Sequence, residues 1–540
     1  MRKLRFVCLM TLILCLFPVL TASAQKVFSL EGSWDLSLND STHYDDYVML
    51  PGSLQTNGKD GSGFAGDAWY KKSVYIPREW KRQRVTLFLE RSSAETAVFV
   101  NGREVGRQTS CFTPHQYDVS QFIVPGYRNS IAVCVKNKGD WNGIIGRMEL
   151  CAQPQYISIK QMRVNPEPVD GKLLVTVQLD CEYHPQSYYG YEDMTVMITS
   201  KDSHEAVVYM GTQEITGRTM NMFLPISPGF ALWDEFSPQL YCLSASVGSD
   251  YYETTFGIRR VKADGGQLSV NGRPLLLRGT LETGNFPKTG YPPTDEYPWT
   301  EMFTKVRRYG LNHVRFRSYC PPEAAFAAAD QLGVYLLLEG TMTPEEQKSI
   351  SDTYGHHPSL LMTTVGEAGD GWKLPMITCR QDEEEQALCY KLEIERHLRA
   401  KDSAGFLLPS LDDCSRFSAN DWCEFCSPLV VLAHALKNEY MTSDTLRVPI
   451  EVYNALYGNI SPIRKNYIIT EGERVVTGGA LSSDSIPMGK NAGIGTVVFP
   501  LNGFSQPTKL TLTVRIGKDV SNHWDFWVRP EALEEDNLIE

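Results

Sequence analysis

Between Asn271 and Gly371, apolar runs and helical patterns alternate four times, and no other feature narrows the possible folds as much. Pro274 to Gly279, His313 to Arg317, Val334 to Glu339 and Leu360 to Val365 read as buried strands with helical spacing between them. In the first helix Trp299, Met302, Phe303 and Val306 fall on one face, and Gly310 stands where a left-handed cap is wanted. The third opens on Thr343-Pro344-Glu345-Glu346, a capping box with proline at the first helical position, and stops at Gly355 before Pro358. Strands separated by helices pair in parallel. In a barrel of such units the residues just past the carboxyl ends of the strands line the active face. Here these are Glu282 and Asn285, Arg317 and Ser318, Glu339, and Glu367.

A chain of 540 residues has room for three to five domains, and its 42% hydrophobic content suits several cores. Arg2, Lys3 and Arg5 precede an apolar run from Phe6 to Leu20, and Ala22-Ser23-Ala24 supplies small residues before Gln25. This is the pattern of a secretory signal over residues 1–24, and the run is shorter than the ~20 residues that span a bilayer. The expected location is periplasmic or extracellular, with no integral membrane segment after cleavage. The mature chain then carries 49 basic against 64 acidic residues, a net charge near −15 that excludes nucleic acid as a natural partner. Its eleven cysteines are an odd number scattered over a long chain, which reads as buried thiols and not a disulfide framework. Cys423-x-x-Cys426 with Cys414 lacks further ligands at metal spacing, so neither a metal nor another cofactor is expected.

On either side of the alternating stretch the pattern is β. In 25–153, Val85, Leu87 and Leu89, then Ile131, Val133 and Val135, alternate with polar residues, and Asn101-Gly102 marks a tight hairpin. Residues 154–263, with Leu173, Val175 and Val177 alternating, have the size of an immunoglobulin-like sandwich. After Gly371, Trp372 to Thr378 is a candidate fifth strand, Asp382 to Ala400 a helix burying Ala387, Tyr390, Ile394 and Leu398, Gly405 to Leu411 another strand, and Phe425 to Ala433 a candidate closing strand. From Val270 to Leu436 there are only 167 residues, against about 250 for a complete barrel. A last β domain spans 441–540. The expected architecture is multidomain β plus α/β: jelly-roll sandwich, immunoglobulin-like sandwich, truncated (β/α) TIM-type barrel over 264–440, and C-terminal β-sandwich.

Asn271-Gly272-Arg273-Pro274, Asn285-Phe286-Pro287-Lys288-Thr289-Gly290-Tyr291, Gly310-Leu311-Asn312-His313-Val314-Arg315-Phe316 and Tyr354-Gly355-His356-His357-Pro358-Ser359 resemble the barrel opening of glycoside hydrolase family 2. Gly32-Ser33-Trp34, Leu50-Pro51-Gly52 and Trp69-Tyr70 are similar to that family's amino-terminal jelly-roll, where Trp69 and Trp141 stand either as sugar-stacking rings or as core.

The resemblance implies an oligosaccharide or polysaccharide partner and retaining β-glycoside hydrolysis, with two carboxylates about 5 to 5.5 Å apart. The family's acid/base glutamate ends the fourth strand; aligned without a gap it falls on Ala368, with the family asparagine on Glu367, whereas a one-residue deletion in Val365-Gly366-Glu367-Ala368 places the glutamate on Glu367. Where the family nucleophile is expected, Leu374-Pro375-Met376-Ile377-Thr378-Cys379 ends in Arg380, which cannot attack carbon. No nucleophile is identified. Glu282, Asn285, Arg317, Glu339, Trp372 and Arg380 are the candidate substrate-binding residues. The departures imply impaired catalysis, with a non-catalytic carbohydrate-binding or structural relative as the alternative.

Overall fold

The computed structural model describes residues 26–531 apart from 60–63, 65, 137–140, 155, 182–192, 202–205, 227–229, 265–266, 341, 363–373, 380–382, 401–402, 483 and 490. Strand alternation in the first region closes two antiparallel sheets over one core. One carries Lys26–Ser29, Gly143–Pro154, Gln83–Ser92 and His115–Asp118, and the other runs from Asp46–Leu50 to Arg103–Thr109. Val85, Leu87, Leu89, Ile131, Val133 and Val135 point into that core, as their period of two requires. Asn101 and Gly102 both take positive φ, the backbone of a two-residue turn that matches strand twist. A second core is enclosed by sheets of three and four strands between Ile157 and Phe256.

The α/β layer consists of β1 (Leu277–Glu282), α1 (Glu296–Arg308), β2 (His313–Arg317), α2 (Glu323–Leu332), β3 (Tyr335–Glu339), α3 (Pro344–Tyr354), β4 (Leu360–Met362), α4 (Glu383–Arg399) and β5 (Gly405–Leu408). The strands form a parallel sheet in the order β4-β3-β2-β1-β5. Val314, Phe316, Leu336, Leu338, Phe406 and Leu408 face the helices, meeting Trp299, Phe303 and Val306 of α1 and Tyr390, Ile394 and Leu398 of α4. The Thr343 hydroxyl accepts from the Glu346 amide at 3.2 Å and the Glu346 carboxylate accepts from the Thr343 amide at 2.9 Å, completing the capping box.

Four expectations change. Arg273–Leu275 does not belong to β1; it pairs antiparallel with Gln267–Val270 in a separate small sheet, and the parallel strand begins at Leu277. Residues 374–377 do not follow β4 at its edge. The Ile377 amide donates to Leu407 O and the Leu407 amide to Pro375 O, both at 2.9 Å, so this segment runs beside β5 at the opposite end of the sheet. Leu429–Ala433 is no closing strand: it pairs antiparallel with Thr445–Asn454 inside the last sandwich. Among the described residues the layer is thus an open five-stranded sheet with one further bridged segment, not a closed barrel. Finally, Cys379 and Cys389 form a disulfide that ties the 374–379 segment to α4, where buried thiols were expected.

Buried polar contacts fix the layer to its neighbours. Arg91 of the jelly-roll donates to Cys320 O and Pro321 O at 3.0 Å and to the Tyr354 hydroxyl at 3.2 Å. From the second sandwich, the Trp233 indole donates to Asp330 O at 2.8 Å and Arg163 pairs with Asp352 at 2.8 Å. The last domain joins a three-stranded to a five-stranded sheet, with Leu510, Leu512, Val514 and Trp524 in its core.

Candidate functional site

Alternation along β1, β2 and β3 divides the candidate side chains between the two faces of the sheet. Arg317 stands directly opposite Glu339 in the parallel register, while Glu282 stands opposite Phe316, which faces the helices. Arg315 and Arg317, two residues apart on β2, therefore share the face that carries Glu339.

The Glu339 carboxylate is 3.6 Å from each guanidinium, through Oε2 to Arg315 Nη1 and Oε1 to Arg317 Nη2. These are charge contacts, longer than hydrogen bonds. Arg315 is 6% exposed and Arg317 42%, so the outer arginine meets solvent while the inner one does not. Burial lowers the pKa of Arg315; the Glu339 charge opposes that shift and Arg317 adds to it. Nε and Nη2 of Arg315 have no hydrogen-bond partner. Among the described residues of this face, two cations meet one carboxylate.

Glu282 is a different kind of carboxylate. Burial raises its pKa, partly offset by the Gly284 amide, which donates to Oε1 at 2.8 Å. The Tyr319 phenol lies against it without hydrogen-bond geometry. Asn285 is exposed in the loop after β1. Glu367, Trp372 and Arg380 lie outside the described residues. The structure thus brings Arg317 and Glu339 together, separates Glu282 from them and adds Arg315, whose signal in the sequence is its two-residue spacing from Arg317.

Both aromatic candidates of the jelly-roll have ring partners. Trp69 sits 5.3 Å from Phe99, and Trp141 reaches across to Tyr291 at 6.0 Å between ring centres. On the helix side of the sheet an open cleft of about 1520 Å³ lies between both sandwiches and helices α2 and α3. Nothing in the strand–helix pattern pointed to it, because three separate parts of the chain build its walls.

Residues 22–148 match the model described as "Glycosyl hydrolases family 2, sugar binding domain", and residues 444–530 match a domain of unknown function, DUF8488. A β-galactosidase of Photobacterium profundum is 24% identical over 410 residues, covering 63% of this chain and 38% of its own length. A β-glucuronidase of Paenibacillus borealis is 23% identical over 344 residues, covering 56% of each. The chain therefore spans little more than half of these curated relatives at most. Among solved structures, the β-D-glucuronidase of Dictyoglomus thermophilum shares the fold with a TM-score of 0.52 at 20% identity, covering 69% of this chain and 70% of that one. For Bacteroides uniformis β-glucuronidase 2 the TM-score is 0.59 at 14% identity, over 94% of this chain and 81% of that one. The amino-terminal region thus matches the sugar-binding domain of glycoside hydrolase family 2, and over the greater part of the chain the curated relatives are β-galactosidases and β-glucuronidases.

Proposed function

We propose that this is an exported family 2 β-glycosidase relative that recognises a uronate-bearing sugar at the carboxyl end of its parallel sheet and hydrolyses neutral β-glycosides negligibly. The observation that carries the reading is the pair of cations, Arg315 and Arg317, that share Glu339. A guanidinium binds a carboxylate in a planar, two-pronged pair, so the exposed Arg317 suits an acidic sugar better than a neutral one. Two solved relatives hold ligands of that kind: a Ruminococcus gnavus β-glucuronidase in complex with D-glucuronic acid, and the Bacteroides uniformis enzyme covalently bound to a cyclophellitol-6-carboxylate aziridine.

The parallel sheet is read as a shortened (β/α) barrel. Retaining hydrolysis requires an acid and a nucleophile about 5 to 5.5 Å apart. Glu282 and Glu339 face opposite sides of the sheet, and Glu339 is committed to two arginines. The family resemblance, with a one-residue deletion, puts the acid/base on Glu367 and has arginine at position 380 where the nucleophile is expected, and an arginine cannot attack carbon. Export rests on the amino-terminal pattern, and the Cys379–Cys389 disulfide supports it because such bonds persist in oxidising compartments.

A panel of aryl β-glycosides, including glucuronide, galactoside and mannoside, assayed with wild type and Glu367→Gln tests the chemistry. Background rates are expected throughout. Turnover of about 1 to 1000 per second that Glu367→Gln abolishes restores a full glycosidase and overturns the impaired reading.

A further inference from the structure

The wall of the cleft on the helix side holds a group of ionisable side chains that sugar recognition does not use. His357, in the loop after α3, is only 4% exposed, and its Nδ1 lies 2.6 Å from Asp330 Oδ2. The Ser359 amide donates to the other oxygen of Asp330 at 2.9 Å, so this carboxylate is fixed from two directions. As acceptor it places the imidazole proton on Nδ1. Nε2 is then turned outward, buried and without a hydrogen-bond partner, 3.7 Å from Glu323 Oε1. The His356 ring lies alongside, 4.1 Å between ring centres. One ligating atom from each of Glu323, His356 and His357 falls within 4.8 Å of the others.

We propose that Glu323, His356 and His357 form a binding site for a divalent transition-metal ion of the zinc class, with Asp330 holding the His357 ring in place. Two imidazoles and one carboxylate are a recurrent zinc donor set with one position left for water. A carboxylate behind a ligating imidazole is the usual outer support of such sites. Bonds of about 2.0 to 2.2 Å bring donors as far as about 4 Å apart onto one ion. Glu323, 43% exposed at the start of α2, closes the remaining gap by rotation of its side chain. Calcium and magnesium prefer all-oxygen shells and are not expected here. The open position faces the cleft, whose lining includes all three ligands. An ion there joins α2 to the loop after α3.

The occupant to be distinguished is a proton on His357, held between Asp330 and Glu323. The test uses the full chain, stripped with chelator and titrated with Zn²⁺, Co²⁺, Mg²⁺ and Ca²⁺. One equivalent of Zn²⁺ is expected to bind and raise the unfolding midpoint. Co²⁺ is expected to give visible d–d bands without the thiolate charge transfer that binding to free cysteines produces. Because His357 stacks on Phe326 in the core, its replacement also perturbs folding, and the test rests on Glu323→Gln and His356→Gln. Each is expected to weaken Zn²⁺ roughly a hundredfold or more, with each variant's own midpoint in chelator as its reference, and Asp330→Asn by about 10- to 100-fold. No stoichiometric binding, or binding unchanged in both ligand variants, overturns the site and leaves the proton as occupant.

Discussion

Arg278 Nη2 lies 3.0 Å from Glu235 Oε2, and both side chains are buried. Glu235 enters the α/β layer from the second sandwich and is also met by Arg273 at 3.4 Å, Arg307 at 3.5 Å and both donor contacts of the Asn312 amide at 3.1 and 3.2 Å. One carboxylate therefore gathers three cations from β1 and its surroundings, where removing it strands charges in a dry interior.

Glu235→Ala is expected to destabilise the α/β layer by about 3 to 5 kcal/mol, the usual cost of leaving buried partners unpaired. Chemical unfolding followed by a tryptophan signal measures it. A loss under about 1 kcal/mol shows that the arginines find other partners or water.

Arg317→Ala is expected to weaken binding of a glucuronate-bearing oligosaccharide by about 10- to 100-fold, corresponding to about 1.5 to 3 kcal/mol for hydrogen bonds to a charged group. The wild-type affinity is expected to fall with salt, since Arg317 is partly exposed. Calorimetric titration that finds equal affinity in wild type and variant removes Arg317 from recognition.

Acid stability is set in part by two histidines kept neutral. Burial lowers the pKa of His115 in the jelly-roll to about 4 and that of His313 in β2 to about 3, from 6.5. The unfolded chain therefore takes up these protons first. Their contribution is fully present above pH 6.5 and is lost as pH falls towards 4 and then 3. Each pKa unit is about 1.4 kcal/mol, so His115 alone accounts for roughly 3 kcal/mol over that range. The unfolding midpoint is expected to drop between pH 7 and 4, and more shallowly in His115→Gln. Identical slopes contradict this.

The Cys379–Cys389 bond closes a short loop, with a sequence separation of 10 residues. Loop-closure entropy gives about 2.5 kcal/mol for such a link. Cys389→Ser is expected to lower the stability of the layer by that order, and a non-reduced peptide map is expected to show the pair joined. Free thiols at both positions in protein from the periplasm or culture medium contradict the pairing.

Local signals in the chain were legible where neighbours in sequence settle the outcome. The Thr343–Glu346 capping box, the Asn101-Gly102 turn and the buried faces of α1 and α4 follow from residues within one or two turns of each other. The Arg317–Glu339 contact was half legible: both residues stood at strand ends, but their pairing required the register between β2 and β3.

The sequence by itself determined which residues are apolar on which period, hence most of the elements and their order, while its motifs carried the family resemblance. Only the tertiary structure decided what each buried face meets. Residues 374–377 run beside β5, Leu429–Ala433 turns to the last sandwich, and Glu323 meets His357 across the start of one helix and the end of another. Periodicity reports that a face must leave water; it carries no record of the partner that covers it, because strand pairing and side-chain clusters join residues tens to hundreds of positions apart.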